Sequence, residues 1–153
     1  VSISSTTRDP RPGELNGVHY YFVSTKEFDA MIERGDMLEW ALVHGKNKYG
    51  TPRGPVDEAL AAGKPVLLEI DLAGARQVRT TRPDAQFIFL APPSWEELEH
   101  RLIGRGTESP EEQARRLTTA RVELEAASEF DHVVINDDVE RAVDELARLI
   151  GLE

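Results

Sequence analysis

The sequence contains no cysteine, no long apolar run and no excess of positive charge, and each absence excludes a class of protein. Without cysteine there is neither a disulfide nor a thiolate metal site. No apolar stretch approaches the ~20 residues that a membrane-spanning helix needs, and the polar opening of the chain is unlike a signal peptide. The net charge of -10 argues against a general nucleic-acid binder, which presents a basic face. We therefore expect no membrane and no nucleic-acid partner, and a reducing cytoplasm as the location.

Several motifs of nucleotide and metal enzymes are also absent. The sequence has no phosphate-loop pattern G-x-x-x-x-G-K-[ST], no dinucleotide-binding G-x-G-x-x-G, no H-E-x-x-H and no nucleophile elbow. Its four histidines are scattered and lack metal-ligand spacing. We therefore expect no metal site built from side chains alone.

What is present predicts one α/β domain over residues 1–153. Short apolar runs at 66–71, 86–91 and 132–136 are typical of parallel strands covered on both faces. Helical patterns alternate with them at about 73–82, 95–103, 110–127 and 139–150. Alternation of this kind is the α/β signature.

The region from about 8 to 53 differs from this pattern. It holds all three tyrosines, with strand-like pieces at 20–24 and 38–44 around one helix. We interpret it as a small α+β insertion on the α/β core.

Helix ends are marked by capping residues. Ser24, Ser94 and Ser109 each stand three residues before a glutamate, the spacing of a capping box. Gly35 and Gly63 follow helical patterns, where a left-handed residue commonly ends a helix.

The first group of residues with chemical potential is the stretch 4–14. It combines four hydroxyl side chains with Arg8 and Arg11 in a loop stiffened by two prolines, and Tyr20 and Tyr49 add phenol groups. Guanidinium forks and hydroxyls suit a phosphate monoester. The alternative interpretation is an ordinary polar surface loop.

The second group consists of the carboxylates Glu39 and Asp71. Asp71 ends a predicted strand, and ligands of open α/β sheets bind outside the carboxyl ends of strands. Carboxylates accept from the N1 and N2 donors of guanine, whereas adenine presents a lone pair at N1. In the alternative interpretation, Glu39 is solvated and Asp71 caps the next helix.

The third group is basic. Arg101 and Arg105 stand four apart, glycines flank Arg105, and Arg115 and Arg116 follow. A mobile arginine-bearing segment is suited to closing over a triphosphate during phosphoryl transfer. Ordinary surface arginines on an exposed helix are the alternative.

Taken in order, these pieces resemble guanylate kinase, of the bacterial type. The resemblance runs through SISSTTRDPRPGE, NGVHYYFVS, LEWA, YGTPR, VLLEIDLAGA, FLAPPS, RLIGRGTES and VINDD, and covers the chain from residue 1 to about 150. It implies a parallel sheet core like that of phosphate-loop kinases, a GMP-binding insertion at about 3–53 and a helical lid at about 102–127. The implied reaction, part of purine nucleotide metabolism, transfers the γ-phosphoryl group of ATP to GMP with Mg²⁺, giving GDP and ADP.

The resemblance also assigns roles to individual residues. It places the GMP phosphate on Ser4, Arg8, Arg11, Tyr20 and Tyr49, and guanine on Glu39 and Thr51, with Asp71 supporting the nucleotide or a magnesium-bound water. It makes Arg105 and Arg116 lid arginines that clamp the transferring phosphate, and puts Asn136 at the adenine pocket.

The sequence departs from the family in one respect. The family's first strand, phosphate loop and following helix have no match before Val1. We expect something to occupy the central strand position between 66–71 and 86–91, because an open gap would leave backbone groups unpaired. The candidates are an upstream segment of the same protein, a strand from a second copy, or a rearrangement that joins the two edges directly. The alternative function is a catalytically dead guanylate-kinase-like binding module, or an inactive fragment.

Overall fold

The computed structural model describes residues 1–103 and 109–151 and divides the chain into two units, Val1–Ala85 and Gln86–Glu153. We call them unit 1 and unit 2 and describe each separately. Among the described residues, no helix combines the length and the apolar character needed to cross a bilayer.

Unit 1 is built on a four-stranded sheet. Its elements are β1 (Ser5–Thr6), β2 (Tyr21–Phe22), α1 (Thr25–Glu33), β3 (Met37–Val43), β4 (Asn47–Pro52), α2 (Arg53–Ala61) and α3 (Leu72–Thr81). The strand order is β2-β1-β4-β3. β1 runs parallel to β2, while β4 is antiparallel to both β1 and β3.

Helix α1 covers one face of this sheet. Phe28 is fully buried and meets the Trp40 ring edge-on, with 6.4 Å between ring centroids. The Lys48 ammonium lies 5.7 Å from the Trp40 centroid and pairs with Asp29 of α1. The aromatic contact and the ion pair hold α1 against the face that carries Trp40.

The strands β3 and β4 approach closely at Gly50. A Cβ atom built on Gly50 would lie 2.8 Å from the Glu39 carbonyl oxygen and 2.9 Å from the Trp40 Cβ. Both neighbours belong to the β3 backbone or its first side-chain atom, so neither is free to move aside. Glycine is therefore required here by space rather than by backbone torsion.

Where the structure describes it, unit 2 contains a parallel strand pair, three α-helices and a 3-10 helix. Its elements are β5 (Ile88–Ala91), α4 (Trp95–Ile103), α5 (Pro110–Glu125), a 3-10 helix (Ala126–Glu129), β6 (His132–Ile135) and α6 (Val139–Leu149). β5 and β6 pair in register from Ile88↔His132 to Ala91↔Ile135. Val134 is fully buried and Ala142 is 4% exposed, which places the core of this unit between β6 and α6.

The predicted helix ends are confirmed. The hydroxyls of Ser24, Ser94 and Ser109 accept hydrogen bonds of 3.1, 3.1 and 3.2 Å from the amides three residues later. Gly35 and Gly63 have φ of 74° and 76°, the left-handed conformation expected after a helix.

Two of the predicted strands, 86–91 and 132–136, are confirmed within two residues by β5 and β6, but the prediction of a strand at 66–71 is wrong. Residues 64–71 have no regular secondary structure. The Ser2 amide donates to the Leu67 carbonyl at 2.9 Å, yet no described strand forms a ladder with this segment. Apolar character alone does not make a strand, because a strand also needs a partner for its backbone groups.

A charged clip, the ion pair of Arg8 with Glu14, closes the loop that follows β1. The Arg8 guanidinium donates to both carboxylate oxygens of Glu14, at 2.9 and 3.0 Å, and the Arg11 amide donates to the same carboxylate at 2.7 Å. The Arg8 hydrogen bond is the main reason why the pKa of Glu14 falls from 4.5 to about 2. The clip connects the two ends of the segment and holds Arg8 in one orientation.

Replacing Gly50→Ala should destabilise unit 1. The added methyl group forces β3 and β4 apart, and overpacking of this kind costs about 1–3 kcal/mol. Urea unfolding followed by circular dichroism measures the change. Gly54→Ala, in α2, is the matched control, because a Cβ there meets no atom within 4 Å. Equal stabilities of the two variants would contradict the close approach.

Replacing Glu14→Gln should lower the melting temperature at neutral pH. A depressed carboxyl pKa stabilises the fold above the unfolded-state value, and this contribution is lost as pH falls from 4.5 towards about 2. The difference in melting temperature from wild type should therefore shrink over that range. Asp9→Asn removes the same charge from the same loop and serves as control. A difference that did not change with pH would argue against the clip.

Candidate functional site

The register of the sheet collects polar side chains on the face opposite α1. Thr51 lies beside Glu39, Tyr49 lies beside Ala41, and Thr6 lies beside Tyr49. Side chains of directly paired residues project to the same face, and so do residues two apart on one strand. Glu39, Tyr49 and Thr51 therefore share one face, on which Tyr49 and Thr51 are separated by ~7 Å along β4.

One end of this face is cationic and phenolic. The Arg8 Nε donates to the Tyr49 hydroxyl at 3.2 Å, and the guanidinium carbon lies 5.2 Å from the centroid of the Tyr20 ring. The rings of Tyr20 and Tyr49 meet edge-on at 6.0 Å. Arg8 is thus held between two tyrosines whose hydroxyls border the same space.

The Arg8 fork is not empty in this arrangement. Besides Tyr49, Arg8 donates to the Glu14 carboxylate through two nitrogens and to the Asp9 carbonyl. From the sequence we expected the fork to be available for a bidentate bond to phosphate. In the structure both terminal nitrogens of the fork bind Glu14 and Nε binds Tyr49, so the fork is not available for a bidentate bond to phosphate while Glu14 holds it.

The remaining predicted phosphate ligands lie around this cluster. Ser4 is half-buried directly before β1, and its carbonyl accepts from the Tyr21 amide at 2.9 Å. Arg11 is exposed on the same loop as Arg8. The structure therefore places Ser4, Arg8, Arg11, Tyr20 and Tyr49 within one unit.

The other end of the face carries a carboxylate paired with a hydroxyl. The Thr51 hydroxyl, 1% exposed, donates to the Glu39 carboxylate at 2.7 Å. Glu39 itself is half-buried. Burial raises its pKa, the Thr51 hydrogen bond opposes the rise, and the nearby charge of Asp71 adds to it.

Asp71 approaches Glu39 across Gly74. The Asp71 carboxylate caps α3 by accepting from the Gly74 amide at 2.8 Å, so the capping interpretation holds. A Cβ on Gly74 would lie 3.2 Å from both the Asp71 and the Glu39 carboxylates. Asp71 is therefore a helix cap that also stands beside Glu39.

The residues predicted to contact ATP belong to unit 2. Arg105 lies outside the described residues. Arg116 is exposed on α5 and lines a groove between α4 and α5 with Leu98 and Leu102. Asn136 follows β6, and its backbone N–H donates to the Ala91 carbonyl at 2.7 Å.

Two side chains that shape the unit 1 site were not predicted from the sequence. Glu14 orients Arg8, and Gln77 on α3 bonds the backbone of Trp40, the residue after Glu39. The signal for Gln77 was a row of polar and small residues at Gly74, Gln77 and Thr81, the spacing of one helical face. The row lies beside Ala75 and Val78, the buried apolar residues of the same helix.

The described residues offer no ready-made metal site. Within 1–103 and 109–151, no three or more histidine, aspartate or glutamate side chains gather where they could hold an ion. Glu39 and Asp71 are two carboxylates only, and one of them caps a helix.

Known proteins resemble this chain over nearly its whole length. The sequence model of the guanylate kinase family matches residues 1–153. The chain is 59% identical to a guanylate kinase of Cutibacterium acnes over 152 residues, which are 99% of this chain and 76% of that protein. It is 61% identical to a guanylate kinase of Thermobifida fusca over 151 residues, with the same coverage of 99% and 76%.

The fold is also similar to a solved one. The crystal structure of guanylate kinase from Anaplasma phagocytophilum superposes with a TM-score of 0.74 at 34% sequence identity, and the match covers 99% of this chain and 73% of that one. The expected α/β kinase fold is thereby confirmed. The chain belongs to the guanylate kinase family.

Proposed function

We propose that the face of unit 1 opposite α1 is a GMP site and that the protein transfers the γ-phosphoryl group of ATP to GMP, giving GDP and ADP. One observation carries the proposal. The Arg8–Tyr20–Tyr49 cluster and the Glu39–Thr51 pair lie on one face, and β4 separates Tyr49 from Thr51 by ~7 Å. A ribose spans that separation between a base and a 5′-phosphate.

The cationic end suits the acceptor phosphate. Arg8 supplies fixed positive charge, and the phenols of Tyr20 and Tyr49 supply directional donors to phosphate oxygens. Arg11 and Ser4 complete the proposed set. Phosphoryl transfer depends on positioning and charge stabilisation more than on covalent chemistry by the protein. Such an end therefore orients the GMP phosphate for attack.

The acidic end suits guanine in particular. Guanine presents N–H donors at N1 and N2, which Glu39 accepts, while the Thr51 hydroxyl orients the carboxylate. Adenine places an acceptor at N1, which would leave the half-buried carboxylate facing a lone pair. A site that binds a ligand donor rejects analogues lacking it, because its own polar groups are then left unpaired. Asp71, beside Glu39, strengthens the preference for donors.

The ATP side of the proposal depends on unit 2 and on the family resemblance. Arg116, with Arg105, is proposed to clamp the transferring phosphate, and Asn136 to contact adenine. The described residues do not by themselves form a Mg²⁺ site. Magnesium is commonly bound by substrate phosphates with one or two carboxylates, so we propose that it enters with ATP and assign it no protein ligands. A catalytically dead binding module is not favoured by any observation.

Replacing Glu39→Gln should weaken GMP binding by about 1–3 kcal/mol, because one acceptor oxygen becomes a donor that opposes the guanine N–H groups. Isothermal titration calorimetry of GMP and AMP measures the effect, and AMP should bind far more weakly than GMP to the wild type. Glu58→Gln, exposed on α2, is the matched control. Unchanged GMP affinity of folded Glu39→Gln protein would rule out base reading by Glu39.

GMP affinity should also fall as the pH is lowered through the raised pKa of Glu39. Its pKa lies above 4.5, chiefly because of burial, and only the ionised carboxylate accepts from both guanine donors. The GMP phosphate itself titrates near ~6, so ribose 5-phosphate, which carries the same phosphate without a base, is the reference ligand. The ratio of the two affinities should decrease towards acid pH in the wild type but stay constant in Glu39→Gln. A constant ratio in both proteins would contradict this assignment.

A further inference from the structure

The side chains of α3 cover the exposed edge of β3. β3 stands at one end of the sheet order, so its outward backbone groups have no strand beside them in the described sheet. The Trp40 amide donates to Gln77 Oε1 at 3.0 Å, and Gln77 Nε2 donates to the Trp40 carbonyl at 2.9 Å. The Thr81 hydroxyl donates to the Leu38 carbonyl at 2.7 Å. One carboxamide thus pairs with both backbone groups of Trp40, as a neighbouring strand would.

These contacts come from a single face of α3. Gly74, Gln77 and Thr81 are spaced three and four residues apart, which brings them onto one side of the helix. Gly74 has no side chain, and the space where its Cβ would lie is bordered by Glu39 and Asp71 at 3.2 Å each. This face of α3 therefore bonds β3 at Leu38 and Trp40, and the missing side chain of Gly74 leaves room for the carboxylate of Glu39.

The contacts between α3 and β3 have an electrostatic consequence for Glu39. Two carboxylates facing the same point repel each other, and a half-buried carboxylate gains solvation by moving outward. The Thr51 hydroxyl restrains the carboxylate of Glu39, while Gln77 restrains the backbone of the next residue, Trp40. Without Gln77, Trp40 would lose both of these bonds to α3, and β3 would be less restrained beside Glu39 although Thr81 still bonds Leu38.

We propose that Gln77 is a positioning residue for base recognition, because its amide holds β3 so that Glu39 stays beside Asp71 across Gly74. The inference rests on the proposed GMP site and names a residue that positions Glu39, the residue proposed to read the base. It does not give Gln77 a contact with the nucleotide.

The test compares GMP with ribose 5-phosphate on the full protein by calorimetry at neutral pH. In Gln77→Ala we expect GMP affinity to fall about tenfold, as when a hydrogen bond to a charged group is weakened, with ribose 5-phosphate affinity unchanged. Gln77→Glu keeps the volume but places an acceptor against the Trp40 carbonyl, and should behave in the same way. Thr80→Ala, exposed on the same helix, should leave both affinities unchanged.

Gly74→Ala tests the same geometry without changing the hydrogen bonds between Gln77 and Trp40. Its methyl group would press on the Glu39 carboxylate, so GMP affinity should fall while ribose 5-phosphate affinity is retained. Gly54→Ala is the matched control with open space around the new methyl group. Thermal melts of every variant verify that the fold persists, and Gly74→Ala supplies the result should Gln77→Ala not fold.

Three outcomes would overturn the inference. The first is that folded Gln77→Ala and Gln77→Glu bind GMP like wild type while Glu39→Gln does not, which removes the role of Gln77 and leaves the GMP site intact. The second is an equal loss for GMP and ribose 5-phosphate, which makes Gln77 merely structural. The third is a wild-type protein that does not prefer GMP over AMP, which removes the proposed function as well.

Discussion

The antiparallel pairing of β3 with β4 controls which side chains of unit 1 act together. The register sets Glu39 beside Thr51 and Ala41 beside Tyr49, and a slip of one residue would turn all these side chains to the other face. Gly50 permits the two strands to come close enough for that register, because a Cβ there would meet the β3 backbone at 2.8 Å. The ligand-facing chemistry therefore depends on a residue that has no side chain.

The same pairing separates stability from recognition. On one face, Trp40 and Lys48 pack against Phe28 and Asp29 of α1, and the aromatic contact buries apolar surface, the main source of folding free energy. On the other face lie Glu39, Tyr49 and Thr51, the residues of the proposed site. Since alternate residues of each strand serve the two faces, the core and the site share the same two strands without sharing side chains.

Opposite shifts in two carboxyl groups distinguish the two ends of the site. Contact with Arg8 lowers the pKa of Glu14 to about 2, so this carboxylate stays charged and holds the guanidinium. Burial raises the pKa of Glu39, so its charge is costly until a ligand supplies donors. Environments that move similar groups apart in this way commonly mark division of roles within a site. In a chain with a net charge of -10, Arg8 between Tyr20 and Tyr49 is a local positive group of opposite sign to the overall charge.

The amino-acid sequence by itself determined the class of fold, most helix and strand boundaries, and the pool of site residues. Helix caps such as Ser24 and short apolar runs such as 132–136 are local signals, because they depend on bonds within a few residues. The strand expected at 66–71 failed for the complementary reason: a strand requires a partner that its own sequence does not encode. Only the tertiary structure decided that Glu14 occupies the fork of Arg8, that Asp71 caps α3 while facing Glu39, and that Gln77 pairs with Trp40. The last of these joins residues 37 positions apart, and such contacts arise when packing brings distant segments together.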